Sequence, residues 1–263
     1  IRNYKKLSLI FKTYNKKITF IIHCAAQPSH DWAAKEPFVD YSINSTGTLN
    51  VLENIRLNCP NAKLAHLSTN KIYGDRPNSL PLYEGKMRYE IKRNNKLYKN
   101  GIDEKMNIDD CKHSLFGASK LSADIYCQEY IKYFNLKIGI FRAGCLTGPL
   151  HNGAELHGFL SYLIKSAKKN KVYKIFGYKG KQVRDNIHSE DVATALWEFF
   201  KVKHNSGIYN LGGGRENSCS ILEIKEILNK KYNIKMKCKT IKTNRIGDHI
   251  WYVSNMSKFK KKH

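Results

Sequence analysis

At 263 residues with 41% apolar side chains, the chain is long enough for one substantial core or one domain with a smaller lobe; no run nears the roughly 18 apolar residues of a membrane span, and the start Ile1-Arg2-Asn3-Tyr4-Lys5-Lys6 lacks a signal-peptide pattern. The net charge of +24 comes from lysines scattered along the whole chain, such as Lys16-Lys17, Lys168-Lys169 and Lys260-Lys261-Lys262. No nucleic-acid motif accompanies them, so a compositional bias is the reading and no nucleic-acid partner is expected.

In chain order, Ile18-Thr19-Phe20-Ile21-Ile22-His23 is a short β-branched run of the kind found in buried parallel strands. Val39, Ile43, Leu49, Leu52 and Ile55 recur at helical spacing until Pro60 stops them. A strand over 63–67, a helix over 116–134 and a strand over 137–141 follow. This alternation predicts an α/β doubly wound parallel sheet, whose ligands collect beyond the carboxyl ends of its strands. The polar segment 76–110 reads as a long irregular loop, either covering a ligand or poorly ordered. Beyond Gly148, helices over 155–169, 189–201 and 220–232 alternate with strands near 172–176, 182–188, 207–211 and 235–241. The expected division is a sheet domain over 1–150, with 182–212 returning to it, and a small C-terminal substrate lobe from 151–181 and 213–263. The seven cysteines are dispersed without a Cys-x-x-Cys pair, which predicts reduced thiols, a cytoplasmic setting and no metal site.

The segments after the strands carry the candidate chemistry. Ala25-Ala26-Gln27 after the first strand would let a flat ligand approach the backbone, although small residues also permit tight packing. Asn44 in the next helix is a buried amide or a ligand contact. Ser68, Thr69 and Asn70 end the second strand, where hydroxyls can reach a substrate alcohol; a turn-forming role is the alternative for Ser68 and Asn70. Phe116 and Lys120 lie four apart on one helix face, and a lone lysine there could equally snorkel to solvent.

Taken together, Ala25-Ala26-Gln27, Asn44-x-x-Gly47-Thr48-x-Asn50, Ser68-Thr69-Asn70-Lys71-x-Tyr73-Gly74 and Ser119-Lys120 resemble the extended short-chain dehydrogenases that act on nucleotide sugars, the NAD-dependent epimerases and dehydratases. Phe141-Arg142-Ala143-Gly144-Cys145, Arg184-Asp185 and Arg245-Ile246-Gly247-Asp248 are similar to later motifs of that family, and Ser-Thr-Asn-Lys before Tyr-Gly-Asp is most similar to its CDP-paratose 2-epimerase branch. The resemblance implies a Rossmann-like fold, NAD as cofactor, a nucleotide-diphosphate sugar as partner, and transient oxidation and re-reduction of a sugar carbon. It implies that Lys120 orients the nicotinamide ribose and Thr69 binds the reacting hydroxyl. Ala25, Ala26, Gln27, Asn44, Ser68, Gly144 and Cys145 would line the cofactor, with Asn70, Arg184 and Arg245 at the substrate. Arg184 could instead pair with Asp185 or Asp191, and Asp248 is expected to orient Arg245. His151 and His157 read as lobe surface. A homodimer through helices 40–57 and 116–134 is a further implication. The alternatives are a 4-epimerase or 4,6-dehydratase, the latter disfavoured by Asn70-Lys71 where it carries an acidic pair, or a catalytically silent nucleotide-sugar-binding homologue.

Two departures stand out. The family's glycine-rich pyrophosphate loop has no counterpart near the start, and the 18–23 strand aligns with the family's fourth. The expectation is therefore a partial sequence lacking the N-terminal βαβ unit, with an apolar sheet edge exposed. The second departure is Phe116, where the family has a tyrosine that exchanges the substrate proton. Either Thr69, Lys120 or a loop tyrosine (Tyr83, Tyr89 or Tyr98) takes that role, or the chain binds without turnover, or its reaction needs no base at this position.

Overall fold

A computed structural model describes every residue except Leu156, His204, Asn205 and Ile246. Of these, Leu156 falls within the helix expected over 155–169 and Ile246 within the Arg-x-Gly-Asp motif, so those parts of both readings lie outside the described residues. The chain begins with α1 (Tyr4–Tyr14), whose start is capped by Asn3 accepting the Lys6 amide. Then come β1 (Phe20–His23), α2 (His30–Lys35) and α3 (Pro37–Tyr41). A π-helical turn, Ser42–Thr46, joins α3 to α4 (Gly47–Asn58), giving the predicted long helix a wider turn at Asn44. After β2 (Lys63–Thr69) come the hairpin strands β3 (Leu82–Glu84) and β4 (Tyr89–Ile91), short α5 (Lys96–Asn100), long α6 (Ser114–Phe134), β5 (Lys137–Ala143) and β6 (Cys145–Thr147). The remainder is α7 (Phe159–Lys168), β7 (Tyr173–Phe176), β8 (Val183–His188), α8 (Ser189–Lys201), β9 (Gly207–Leu211), β10 (Ser218–Ser220), α9 (Ile221–Tyr232), β11 (Cys238–Ile241), β12 (Trp251–Tyr252) and α10 (Ser257–Lys262).

Strands β1, β2, β5 and β9 form one sheet in that order, every pair parallel. The two-residue period of a strand sends alternate side chains to opposite faces. Leu64, Ile138 and Ile140 pack under Phe11, Leu52 and Ile55 of α1 and α4, while Ala65, Phe141 and Tyr209 pack under Leu196 and Phe199 of α8 and Phe259 of α10. Helices on both faces of a parallel sheet are the doubly wound architecture that the strand–helix alternation predicts. Among the described residues β1 is hydrogen-bonded to β2 alone, and Ile22 on it is 48% exposed, so this edge presents apolar surface.

Close packing on the second face fixes Gly139. A Cβ there would lie 2.7 Å from Phe199 and 2.9 Å from Phe141. Gly139→Ala is expected to cost about 1–3 kcal/mol through overpacking, read as a lowered urea midpoint; an unchanged midpoint would show that the aromatic pair can give way.

The segment 76–110 differs from the loop expected for it. It folds back as β3, β4 and α5, and Ile91 and Ile102 join Ile72, Val183, Trp251 and Tyr252 in a core of their own. Its apolar residues lack a regular period because they meet partners far along the chain. The lobe buries Leu163, Tyr173, Ile175, Ile224 and Leu228 between α7, α9 and the parallel pair β7–β11. Strand β8 forms a second sheet with β10 and β12 and pairs with β6, and α10 packs on the main sheet rather than on the lobe. Among the described residues no helix is long and apolar enough to cross a membrane.

Candidate active site

Because β1, β2 and β5 run in parallel, their carboxyl ends open on the same side. A cleft of about 560 Å³ lies there, where ligands collect on such sheets. From the strand ends it is lined by Ala26, Ser68, Thr69, Asn70, Gly144 and Cys145, and from α6 by Phe116 and Lys120. Arg184, Arg245 and Asp248 line it as well. Thr69 and Lys120, which come from different elements, thus share one opening.

Lys120 is only 3% exposed, and its Nζ donates to the Leu67 carbonyl at 2.8 Å. Burial pulls its pKa down to about 8, opposed by Cys127 and then by Asp124. The Thr69 side chain caps the turn after β2 by accepting the Lys71 amide at 3.2 Å. Ser68 reaches the cleft, but its hydroxyl donates to Asp124 at 2.7 Å. Phe116 is buried, with its ring edge-on to His30 at 5.0 Å and 71°.

Three residues expected at the cofactor do not line the cleft: Ala25, Gln27 and Asn44. The π turn aims Asn44 at the loop after β1, where its Oδ1 accepts the Gln27 amide at 2.8 Å and its Nδ2 faces the Gln27 carbonyl, Asp40 and Ser119. Gln27 in turn donates to Asp40 at 2.6 Å and to the Ser29 carbonyl at 2.9 Å. These amides clamp the loop from below and have little capacity left for a ligand. The loop tyrosines are also elsewhere. Tyr83 is exposed, Tyr89 donates to Glu84 at 3.3 Å, and Tyr98 lies under the Arg215 guanidinium; none lines the cleft.

The charged wall is paired differently from the sequence reading. Arg184 bonds Asp248 at 2.5 Å, not Asp185 or Asp191, so Asp248 orients Arg184, and Arg245 bonds Asp31 at 3.2 Å. Lys71, which the sequence reading passed over, also lines the cleft, with Nζ 2.9 Å from the Gly247 carbonyl and 3.7 Å from Asp248. Burial lowers its pKa to about 8, with Arg184 and Arg245 adding to the effect and Asp248 opposing it. Burial would raise the pKa of Asp248, yet Arg184 and Lys71 hold it well below the carboxylate range. His151 and His157, read as lobe surface, line the cleft as well; their rings meet edge-on at 5.9 Å. Among the described residues no group of three or more His, Cys, Asp or Glu side chains is arranged to hold a metal.

The model of the NAD dependent epimerase/dehydratase family matches residues 2–212. The chain belongs to the NAD-dependent epimerase/dehydratase family. Its members are enzymes of nucleotide-sugar epimerisation and dehydration, and NAD is their cofactor. Among relatives in this family, CDP-paratose 2-epimerase of Salmonella typhi is 32% identical over 98% of this chain and 75% of its own length. UDP-glucuronate 4-epimerase of Thermodesulfobacterium geofontis is 30% identical over 90% of this chain, which spans 64% of that protein. Among solved structures, UDP-glucose 4-epimerase of Thermus thermophilus in complex with NAD superimposes with a TM-score of 0.79 at 22% identity, covering 99% of this chain and 76% of that one. That likeness carries the Rossmann-like fold.

The cleft residues fit the nicotinamide end of the family's cofactor on one observation. The buried Lys120 ammonium faces the cleft with a single hydrogen-bond acceptor among the described residues, leaving donors for a ligand's hydroxyl groups.

Proposed function

We propose that the chain is the NAD-dependent epimerase of a CDP-sugar, acting in the manner of CDP-paratose 2-epimerase. The observation that carries this reading is the convergence of Thr69 and Lys120 on one cleft that Arg184 and Arg245 also line. Bound NAD supplies a reversible hydride acceptor. Lys120 holds the ribose hydroxyls through Nζ, and Thr69 receives the sugar hydroxyl at the end of β2. The guanidinium forks of Arg184 and Arg245 match the oxygens of the diphosphate, anchoring the nucleotide while the sugar turns. Gly144 and Cys145 offer backbone groups to the flat ring, Ala26 leaves space beside it, and Asn70 faces the sugar. Phe116 contributes an apolar surface that excludes water. A homodimer through segments 40–57 and 116–134 remains part of the proposal, supported by their exposed aromatic side chains Tyr41, Tyr126 and Tyr133.

With the family's glycine-rich N-terminal unit in place, incubation with NAD and CDP-paratose is expected to give the 2-epimer, resolved by chromatography, with no net NADH. Tight binding of the CDP-sugar without product would favour the silent homologue, for which Phe116 speaks. Product from UDP-glucuronate alone would move the activity to carbon 4.

A further inference from the structure

Oxidising a sugar alcohol releases a proton as well as a hydride, and Phe116 can take neither. The other groups near Thr69 are poorly suited to accept it. Lys71 and Lys120 are arranged as donors, to the Gly247 and Leu67 carbonyls. Burial pushes the Cys145 thiol up to about 12, so it stays protonated, and Asp248 is engaged by Arg184 and Lys71. Thr69 is an ordinary alcohol.

His30 is different. It opens α2 and lines the cleft. Its Nδ1 shares a 2.8 Å hydrogen bond with Ser114 Oγ, which leaves Nε2 without a hydrogen bond among the described residues on a ring that lines the cleft. The ring is wedged between Phe116 and Gly247, where a Cβ would lie 3.1 Å from its Cε1 and Nδ1. Ser114 Oγ also accepts the Gly117 amide at 3.2 Å, so its own proton can turn towards Nδ1 or away from it. That freedom lets one hydroxyl serve either tautomer of the imidazole.

We propose that His30 takes the proton of the reacting sugar hydroxyl at Nε2 and returns it, with Ser114 steering the ring through Nδ1. The proposal rests on the reading that this cleft oxidises a sugar alcohol. As the carbon gives up its hydride, the O–H bond breaks and the proton passes to Nε2, leaving a ketone; when the hydride returns to the opposite face, the same proton goes back to oxygen. NAD, the family's cofactor, is the hydride acceptor, and no proton or electron is left over. The charged groups facing His30 are Lys71 and Arg245 on one side of the balance and Asp31 and Asp248 on the other. Burial, reinforced by the two cations, holds the imidazole down to about 3, so the ring is neutral at neutral pH and gives an accepted proton back readily.

Two measurements on the full chain test this. With NAD and CDP-paratose, His30→Gln should lower kcat about 100-fold or more, leave KM within about threefold and leave the melting temperature unchanged, and Ser114→Ala should fall between it and wild type. Turnover of His30→Gln within about threefold of wild type, or a loss matched by lost CDP binding, would overturn the assignment. Independently of turnover, diethyl pyrocarbonate should modify His30 at mildly acidic pH, as mapped by mass spectrometry, and CDP-paratose should protect it. An unreactive His30, or one that the nucleotide sugar fails to protect, also overturns it. A wild-type protein that binds NAD yet is inactive on CDP-paratose and UDP-glucuronate would instead sink the epimerase reading, with the modification result still deciding whether His30 presents a free base to the cleft.

Discussion

Replacing Lys120 by methionine is expected to abolish turnover while raising the melting temperature. The two effects have one cause. Burial lowers the lysine from its ordinary 10.5 to about 8, so holding the ammonium in the folded chain costs roughly 3 kcal/mol that the unfolded chain does not bear. Methionine fills a similar volume without a charge, and a gain of this size corresponds to several degrees in a chain of this length. Loss of the donor at the ribose should cost turnover at least about a hundredfold, because the reacting groups lose their alignment.

The pH dependence identifies the cause. With the folded pKa below the unfolded one, the penalty is fully present below about 8 and is relieved as the pH rises from there towards 10.5. The stability advantage of Lys120→Met over wild type should therefore be largest at neutral pH and fade through that window. Comparing the two chains at each pH removes the opposite trend from buried thiols such as Cys59 and Cys145, which burial holds protonated and which destabilise the fold once the unfolded thiols ionise. A variant no more stable than wild type at neutral pH would mean that Lys120 is better solvated than its position indicates. Lys71, lowered for the same reason, is left in place in both chains.

The sheet and most of its helices were legible because their burial imposes a period. β2, β5, β8 and β9, together with α6, α8 and α9, fall within two residues of the spans read from alternation and helical spacing. Thr69, Lys120, Arg184 and Arg245 were legible as residues of one cleft because strand ends and helix starts on such a sheet open on the same side. Asn44 and Gln27 were misplaced by the same reasoning. They stand close to a strand end, but a π turn carries the Asn44 amide beneath the loop rather than above it, and a π turn leaves no periodic signal in sequence. His30, Lys71, His151 and His157 were missed as cleft residues because the parts of the chain that bring them to the cleft lie far from them in sequence. They meet only after residues 247–248, far along the chain, return to the mouth of the sheet, as the Lys71 contact with the Gly247 carbonyl illustrates. The core beneath 76–110 was invisible for a related reason, since Ile91 and Ile102 need Trp251 to complete it.

The same long-range logic makes Asp124 the most consequential buried carboxylate. It was not singled out from sequence, although it lies one helical turn beyond Lys120 on α6. It accepts from Ser68 at 2.7 Å, from Arg142 Nε at 3.1 Å and Nη2 at 2.9 Å, and from Gln128 at 2.8 Å. Arg142 also donates to the Tyr73 hydroxyl at 3.2 Å, which donates to Asn210 at 2.7 Å. One network thus ties α6 to the ends of β2, β5 and β9 directly beneath Thr69. Asp124 and Arg142 are 0% and 3% exposed, so removing either partner strands a charge with no route to water. Asp124→Ala is expected to cost about 3–5 kcal/mol, seen as a large fall in the urea midpoint. Turnover should fall with it, because Ser68 loses its acceptor and the end of β2 its anchor. The double variant Asp124→Leu with Arg142→Met should recover much of the stability, since two apolar groups leave no orphaned charge, but not the turnover. If Asp124→Ala unfolds at the wild-type midpoint, the pair is not the fastening under the site, and the position of Thr69 must be set by the β2–β5 ladder alone.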